Sequence, residues 1–490
     1  MKSEAFLVFV FFFSVGLIYG EAAETKELEN VICKKCNCNA DKNIIDCSKK
    51  GLKKMFSYDD WAALNETNDS YEELLMDHNN LESIDVQFPP LKFPLKRIIL
   101  SHNKINKIAK SAFGNLTYLE ELDLSYNEMT AQTLKPDIFK GKYSADEYEP
   151  IVTLKILRLG NNLLHYLDDD LFEHTQHIQE LYLDNNPIQV IHPNIMSAFS
   201  DIPQLQVLDL SRNELTDLPS AVFQPVKALR VLNLEGNLFH KIPRTALKYA
   251  QNLRELSFDD NPIDDLNDVN AFPSLAKLEK LNLTHIGSLR SIGEGAFGGF
   301  PKLTELHLSN NHHLSFIHPD AFQFPEQDDD NRTQWAPVKK LFLNNNNLTT
   351  LESNSFITWD DMNEIHIHDN PWLCDCNLNY VLKHLMPIIN KTTPHLIEHI
   401  QCAEPSVYAG HKLMDFKASD FEFRCMDKYN AHPERDSALL VALFLGIILG
   451  MPLTCACILI YQRLFRPKQG AAKYSRAFYK RADMQDDMHI

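Results

Sequence analysis

The chain has 490 residues, of which 44% are apolar and 23% charged, and its formal net charge is -18. That length holds several ordinary domains or one long repeat array, because arrays grow by adding units. The acidic balance argues against nucleic acid as a partner, since binding phosphate needs a basic surface.

Residues 1–20 read as a secretory signal peptide: Lys2, an apolar run over 6–15, then small or neutral residues to Gly20. The run is too short to span ~30 Å of hydrocarbon. After a segment at 21–32 come Cys33, Cys36, Cys38 and Cys47, which open an expected N-terminal cysteine cap at 33–70.

From 71 to 369 one pattern, L-x-x-L-x-L-x-x-N-x-L, recurs in twelve copies, for example LEELDLSYNEM at 119–129 and LQVLDLSRNEL at 205–215. Its ninth position is Asn79, Asn103, Asn127, Asn162, Asn186, Asn213, Asn237, Asn261, Ile286, Asn311, Asn346 and Asn370. Most spacings are 24 or 25, which is the period of leucine-rich repeats. The L-x-L stretch predicts a short strand whose leucines enter the core while the residues between them face outward. The asparagine predicts a side chain bonded to backbone where the chain leaves the strand. The expected fold is an α/β leucine-rich-repeat solenoid: a curved horseshoe with a parallel concave sheet and an irregular or short-helix convex side. A second apolar line, Phe113, Phe139, Phe172, Phe199, Phe223, Phe297, Phe322 and Phe356, predicts a core spine on the return side. Two spacings stretch to 35, around 129–150 and 324–337, and predict surface loops.

Cys374, Cys376, Cys402 and Cys425 follow the array, in a C-terminal cap expected at 370–425. Cysteines in fours at both ends of an exported array read as disulfide frameworks that cover the exposed end of the core, and spacing leaves three pairings open for each four. A stalk is expected at 426–436. The charge-free apolar run at 437–461 is long enough for a transmembrane helix. A cytoplasmic tail is expected at 462–490, because Arg463, Arg466 and Lys468 follow the span at once. Cys455 and Cys457 lie within the span.

The run at 370–377, NPWLCDCN, resembles the start of the C-terminal cap of extracellular leucine-rich-repeat proteins. The group C-x-x-C-x-C-x8-C at 33–47 resembles their N-terminal cap, with Lys34 where that family usually has proline. The resemblance implies Cys33–Cys38, Cys36–Cys47, Cys374–Cys402 and Cys376–Cys425 as the disulfides, and a single-pass type I protein of the plasma membrane with a short tail.

Sequons at Asn65, Asn68, Asn115, Asn282, Asn331, Asn347 and Asn390 suit that compartment. On the face carried by positions three, five and seven, twelve acids stand against four bases, Arg97, Arg158, Lys280 and Lys340, which predicts a basic partner. Leu75, Ile99, Tyr182 and Phe342, with Arg158 beside Tyr182, are expected to be exposed there and to contact a partner. His366 and His368 on the last strand form an H-x-H, the weak candidate for a metal and otherwise a solvated face or a pH-sensitive contact. No cofactor is expected. No nucleophile elbow, phosphate loop or zinc-protease motif occurs, so an enzyme is not expected. The expectation is a cell-surface recognition or adhesion receptor for an extracellular or cell-surface protein. The alternatives are an auxiliary subunit or co-receptor in the same membrane, and an innate-immune recognition protein lacking its own signalling domain. A homodimer is one state open to it.

Overall fold

The computed structural model describes residues 31–144, 147–267, 271–324, 334–352, 361–416, 421–426 and 433–465. The expected signal peptide, the sequon at Asn331, Phe356 and all of the tail beyond 465 lie outside the described residues. Two compact units divide after Phe421.

The first unit is a solenoid. Its main sheet has fourteen strands. Two belong to the N-terminal cap, Asn37–Asn39 and Ile44–Asp46, paired antiparallel. The other twelve are parallel three-residue strands, one per repeat. They run Glu73–Leu75, Arg97–Ile99, Glu121–Asp123, Ile156–Arg158, Glu180–Tyr182 and Val207–Asp209 through repeats one to six. Repeats seven to twelve contribute Val231–Asn233, Glu255–Ser257, Lys280–Asn282, Glu305–His307, Lys340–Phe342 and Glu364–His366. Like positions pair across the sheet: Leu157 lies beside Leu181, and Leu181 beside Leu208. Because side chains alternate along a strand, this register puts every fourth-position residue on the inner side. Leu74, Leu122, Leu157, Leu181, Leu208, Leu232, Leu281, Leu306 and Leu341 are all fully buried, each adding roughly 1.5–3 kcal/mol of apolar burial relative to exposure.

The return side carries the aromatic spine. Phe113 stacks on Phe139, and Phe297 lies against Phe322. The spine reaches farther than the repeat phase implies, with Phe88 on Phe113, Trp61 on Phe88, and Phe272 beside Phe297. Trp61 sits on the cap helix Tyr58–Asn65, whose start is fixed by a capping box between Ser57 and Asp60.

The asparagines form a ladder. Asn237 donates from Nδ2 to the Leu234 and Leu210 carbonyls and accepts from the Leu215 N–H through Oδ1. One repeat is thus tied to the preceding one by an amide that is itself buried. Position eight, just ahead of the ladder, is left-handed in all twelve repeats, with φ between 50° and 65°. Only Gly236 adopts this without a Cβ penalty. Asparagine, aspartate and histidine fill most of the other positions, as short polar side chains tolerate the region best.

Cys33 pairs with Cys38, Cys36 with Cys47, and Cys374 with Cys402. Cys376 and Cys425 are likewise disulfide-bonded. The insertion near 129–150 contains a 3-10 turn, Pro136–Phe139, and a hairpin pairing Tyr143 with Tyr148. The second insertion opens and closes on the antiparallel pair Gln323–Phe324 and Gln334–Trp335.

In the second unit a helix runs Pro433–Phe465. Its stretch Ser437–Phe465 is long and apolar enough to cross a membrane. It extends beyond the expected limits at both ends, starting inside the predicted stalk and passing residue 461 to include Arg463. Backbone hydrogen bonding, unlike hydropathy, does not stop at the first charge, and a long arginine side chain can reach the lipid headgroups from within the last turn. Cys455 and Cys457 on this helix are free thiols and exposed.

Candidate recognition surface

The concave surface consists of the outward residues of positions three, five and seven. Two clusters organise it, each centred on a glutamate at position three that is bracketed by bases from the repeats on either side.

In the N-terminal cluster, Glu121 forms an ion pair with Arg97 Nε at 3.0 Å and accepts a hydrogen bond from Arg158 Nε at 3.2 Å. The Arg158 guanidinium lies over the Tyr182 ring, 4.1 Å from its centre, a cation–π contact. The Tyr182 hydroxyl donates to Glu180 at 2.9 Å. Arg158 and Tyr182, expected side by side, are thus one assembled unit with Glu121 and Glu180. Leu75 is half-buried. Ile99 departs from the expectation of exposure: it retains 9% of its surface. It lies in register between Leu75 and Asp123, and the longer Arg97–Glu121 pair crosses the sheet beside its short branched side chain.

The C-terminal cluster centres on Glu305, which accepts from Lys280 at 2.9 Å, Lys340 at 3.0 Å and His307 Nε2 at 2.8 Å. Burial opposes ionisation of Glu305, but hydrogen bonds from His307, Lys280 and Lys340 outweigh it and bring its pKa down to about 2. Phe342 is held between His307 and His366, with ring centres 4.2 and 4.7 Å away. His366 donates to Glu364 at 3.0 Å, and His368 to Asp369 at 2.7 Å. Each imidazole of the H-x-H is thus turned to a carboxylate of its own strand end. Among the described residues no group of three or more His, Cys, Asp or Glu side chains converges as a metal site.

All four concave bases are consumed by these two glutamates. An acidic stretch begins within the N-terminal cluster and runs on to the eighth repeat. Among the described residues no Lys or Arg pairs with Asp123, Glu180, Asp184, Asp209, Glu255 or Asp259; the ion pairs that Lys and Arg make on this face lie in the two clusters, between Arg97 and Glu73, and between Arg212 and Glu235. Burial and the neighbouring charge of Asp209 hold the Asp184 carboxyl above its ordinary range. Asp184 fills the space a side chain at Gly160 would need, which explains glycine at that seventh position. The base–glutamate–base clusters were not anticipated, although position three carries Lys280, Glu305 and Lys340 in successive repeats; Arg158 stands at position five, so Glu121 gives no such signal.

Of the sequons, Asn68, Asn347 and Asn390 are exposed. Asn65 donates to the Pro90 carbonyl and accepts from Lys92 N–H, and Asn115 donates to the Phe88 carbonyl. Asn282 is at position five of the ninth strand, facing the concave side, and its Oδ1 is buried with no hydrogen-bond partner.

The stacked short strands and asparagine ladder define a leucine-rich-repeat solenoid. The family described as Leucine rich repeat matches residues 93–141, 152–198, 196–239, 227–286 and 276–327. Osteomodulin of Rattus norvegicus is 33% identical over 153 residues, 31% of this chain and 32% of that protein. Keratocan of Gallus gallus is 33% identical over 144 residues, 29% of this chain and 36% of that protein. The chain thus spans about a third of the length of these curated relatives. Among solved structures, the mouse RP105/MD-1 complex aligns with a TM-score of 0.57 at 21% identity, covering 76% of this chain and 57% of that one. The chain belongs to the leucine-rich-repeat proteins.

Proposed function

We propose that this is a cell-surface recognition protein, single-pass and type I in the plasma membrane, that binds a basic extracellular protein surface through the concave face. The observation that carries the reading is the set Asp123, Glu180, Asp184, Asp209, Glu255 and Asp259, with which among the described residues no Lys or Arg pairs, while Glu121 and Glu305 hold the four bases of the face. Complementary charge accelerates encounter and selects partners. The ring of Tyr182 lies within that stretch and the ring of Phe342 lies three repeats beyond it; both are positioned by their own clusters and supply apolar contact of the kind that dominates interface energies. The mouse RP105/MD-1 structure, which shares this fold, is that of a complex. The apolar helix Ser437–Phe465 supports anchoring.

The test is a screen of cells displaying the full chain against a library of soluble extracellular proteins. It is repeated with Asp209→Asn, Glu255→Gln and Asp259→Asn combined. A ligand whose affinity drops at least about tenfold, with a shallower salt dependence, supports the reading. A ligand bound equally well by the neutralised chain removes the acidic stretch from the site. Capture only of a multispan protein of the same membrane, dependent on residues 437–461, supports the auxiliary-subunit alternative instead.

A further inference from the structure

We infer that the C-terminal end of the concave face makes capture of a cationic protein surface acid-labile, holding it at neutral pH and releasing it in the range where imidazoles gain protons; this rests on the recognition reading above. Four imidazoles and one phenyl ring form a continuous line across the last three repeats and the cap. His307 stacks on Phe342 at 4.2 Å and 9°, Phe342 contacts His366 at 4.7 Å, His366 lies 5.8 Å from His368, and His368 lies 6.4 Å from His399. Imidazole is the side chain whose ordinary charge change falls between about pH 5 and 8.

The charges around this line are few and mostly committed. From the ninth and eleventh strands come Lys280 and Lys340, both on Glu305 of the tenth. The twelfth repeat contributes Glu364 and Asp369, bonded to His366 and His368. Behind it, helix Met386–Thr392 carries Lys391 as its one charge, and the turn Pro394–His399 brings His395 and His399. Glu398 of that turn is neutralised by Lys412. With imidazoles neutral, the concave groups Lys280, Lys340, Glu305, Glu364 and Asp369 sum to one negative charge. Protonating His307, His366, His368 and His399 turns that to three positive charges. Burial keeps His366 below the ordinary imidazole range, so it charges late as pH falls.

His307 is two strands from Ser257, which stands between Glu255 and Asp259 in the eighth repeat, about 10 Å at ordinary strand spacing. That is about one Debye length in moderate salt. Positive charge gained there acts on the same docked cation that Glu255 and Asp259 attract.

The experiment uses the full chain in nanodiscs with a fluorescent decalysine peptide as the probe. Affinity is measured at neutral pH and at about pH 5.5, where free imidazole is mostly charged. The readout is the ratio of the two affinities within each variant. The parent is expected to lose at least about fivefold, and His307→Gln/His366→Gln/His368→Gln to lose less than about twofold. His366→Gln alone, and unfolding temperatures at both pH values, separate lost charge from lost fold. A triple variant that keeps the parent's ratio overturns the inference, because the acid-lability then belongs to carboxylates such as Asp184. The recognition reading survives that result if Asp209→Asn/Glu255→Gln/Asp259→Asn still weakens decalysine at neutral pH. If decalysine binds neither parent nor variant, or ignores that neutralisation, both fall.

Discussion

Each ladder asparagine satisfies three backbone groups that no water reaches. Asn237 is 2% exposed and bonds Leu210, Leu215 and Leu234. Replacing it with alanine leaves a buried N–H and two carbonyls with unmet bonds, each worth roughly 1–3 kcal/mol. Asn237→Ala is expected to destabilise the array by about 2–4 kcal/mol, read as a lowered urea midpoint at unchanged slope; a loss below about 1 kcal/mol contradicts the ladder's role. Glu305 makes a different residue-scale prediction. Its folded pKa, about 2, lies below its ordinary 4.5. A carboxylate depressed in the folded state stabilises fully above the unfolded pKa, and that stability is lost as pH falls from about 4.5 through 2. Glu305→Gln is therefore expected to lower stability at neutral pH and to flatten the acid limb in that window, measured by thermal unfolding across the two. An unchanged acid limb places the depressed proton equilibrium elsewhere.

The elements show why the ladder breaks where it does. At position ten most repeats use the N–H to bond the preceding repeat, as Leu238 does to Leu215. Pro187, Pro262 and Pro371 have no N–H to give. In all three places the next residue turns its N–H onto the asparagine carbonyl just before: Ile188 onto Asn186, Ile263 onto Asn261, Trp372 onto Asn370. The donor that a following asparagine needs is thereby withdrawn. After Pro187 the result is a buried, unmatched Oδ1 on Asn213. After Pro262 the following position is Ile286, which is fully buried and needs no donor. The irregular ninth repeat is thus matched to the proline before it. Ile286→Asn alone is expected to cost about 1–3 kcal/mol, because its oxygen meets no donor. Adding Pro262→Glu restores a position-ten N–H and is expected to recover at least half of that loss in the same urea titration. If the single change stabilises the chain, this account of the break is wrong.

For the whole molecule the balance is between an acidic repeat surface and an apolar helix. Residues 462–490 hold seven Lys or Arg against three Asp or Glu, so the acidity resides in the remainder. With the proposed type I topology, the full chain is expected to stay in the membrane pellet through alkaline carbonate extraction. A chain ended at residue 436 is expected in the medium with its sugars attached. Carbonate release of the full chain removes the anchor from the proposal.

The repeat phase, the strand placement, the inward leucines and the asparagine line were legible from the residues alone, because each depends on a period of two along a strand and a period near 24 along the chain. Cap cysteines were legible as groups, but the residues left their pairings open until a family resemblance supplied them. The length of the apolar run located the helix, though not its ends, which hydrogen bonding rather than hydropathy sets. Only the tertiary structure decided what the concave face presents. Residues 24 to 37 apart in sequence became neighbours about one strand spacing apart. That put Arg97 and Arg158 on Glu121 and buried Ile99 beside them. It also joined His399 of the cap to the line from His307. Composition counted the four bases of the face; stacking determined that Glu121 and Glu305 hold them, so that among the described residues Asp123, Glu180, Asp184, Asp209, Glu255 and Asp259 have no Lys or Arg ion pair.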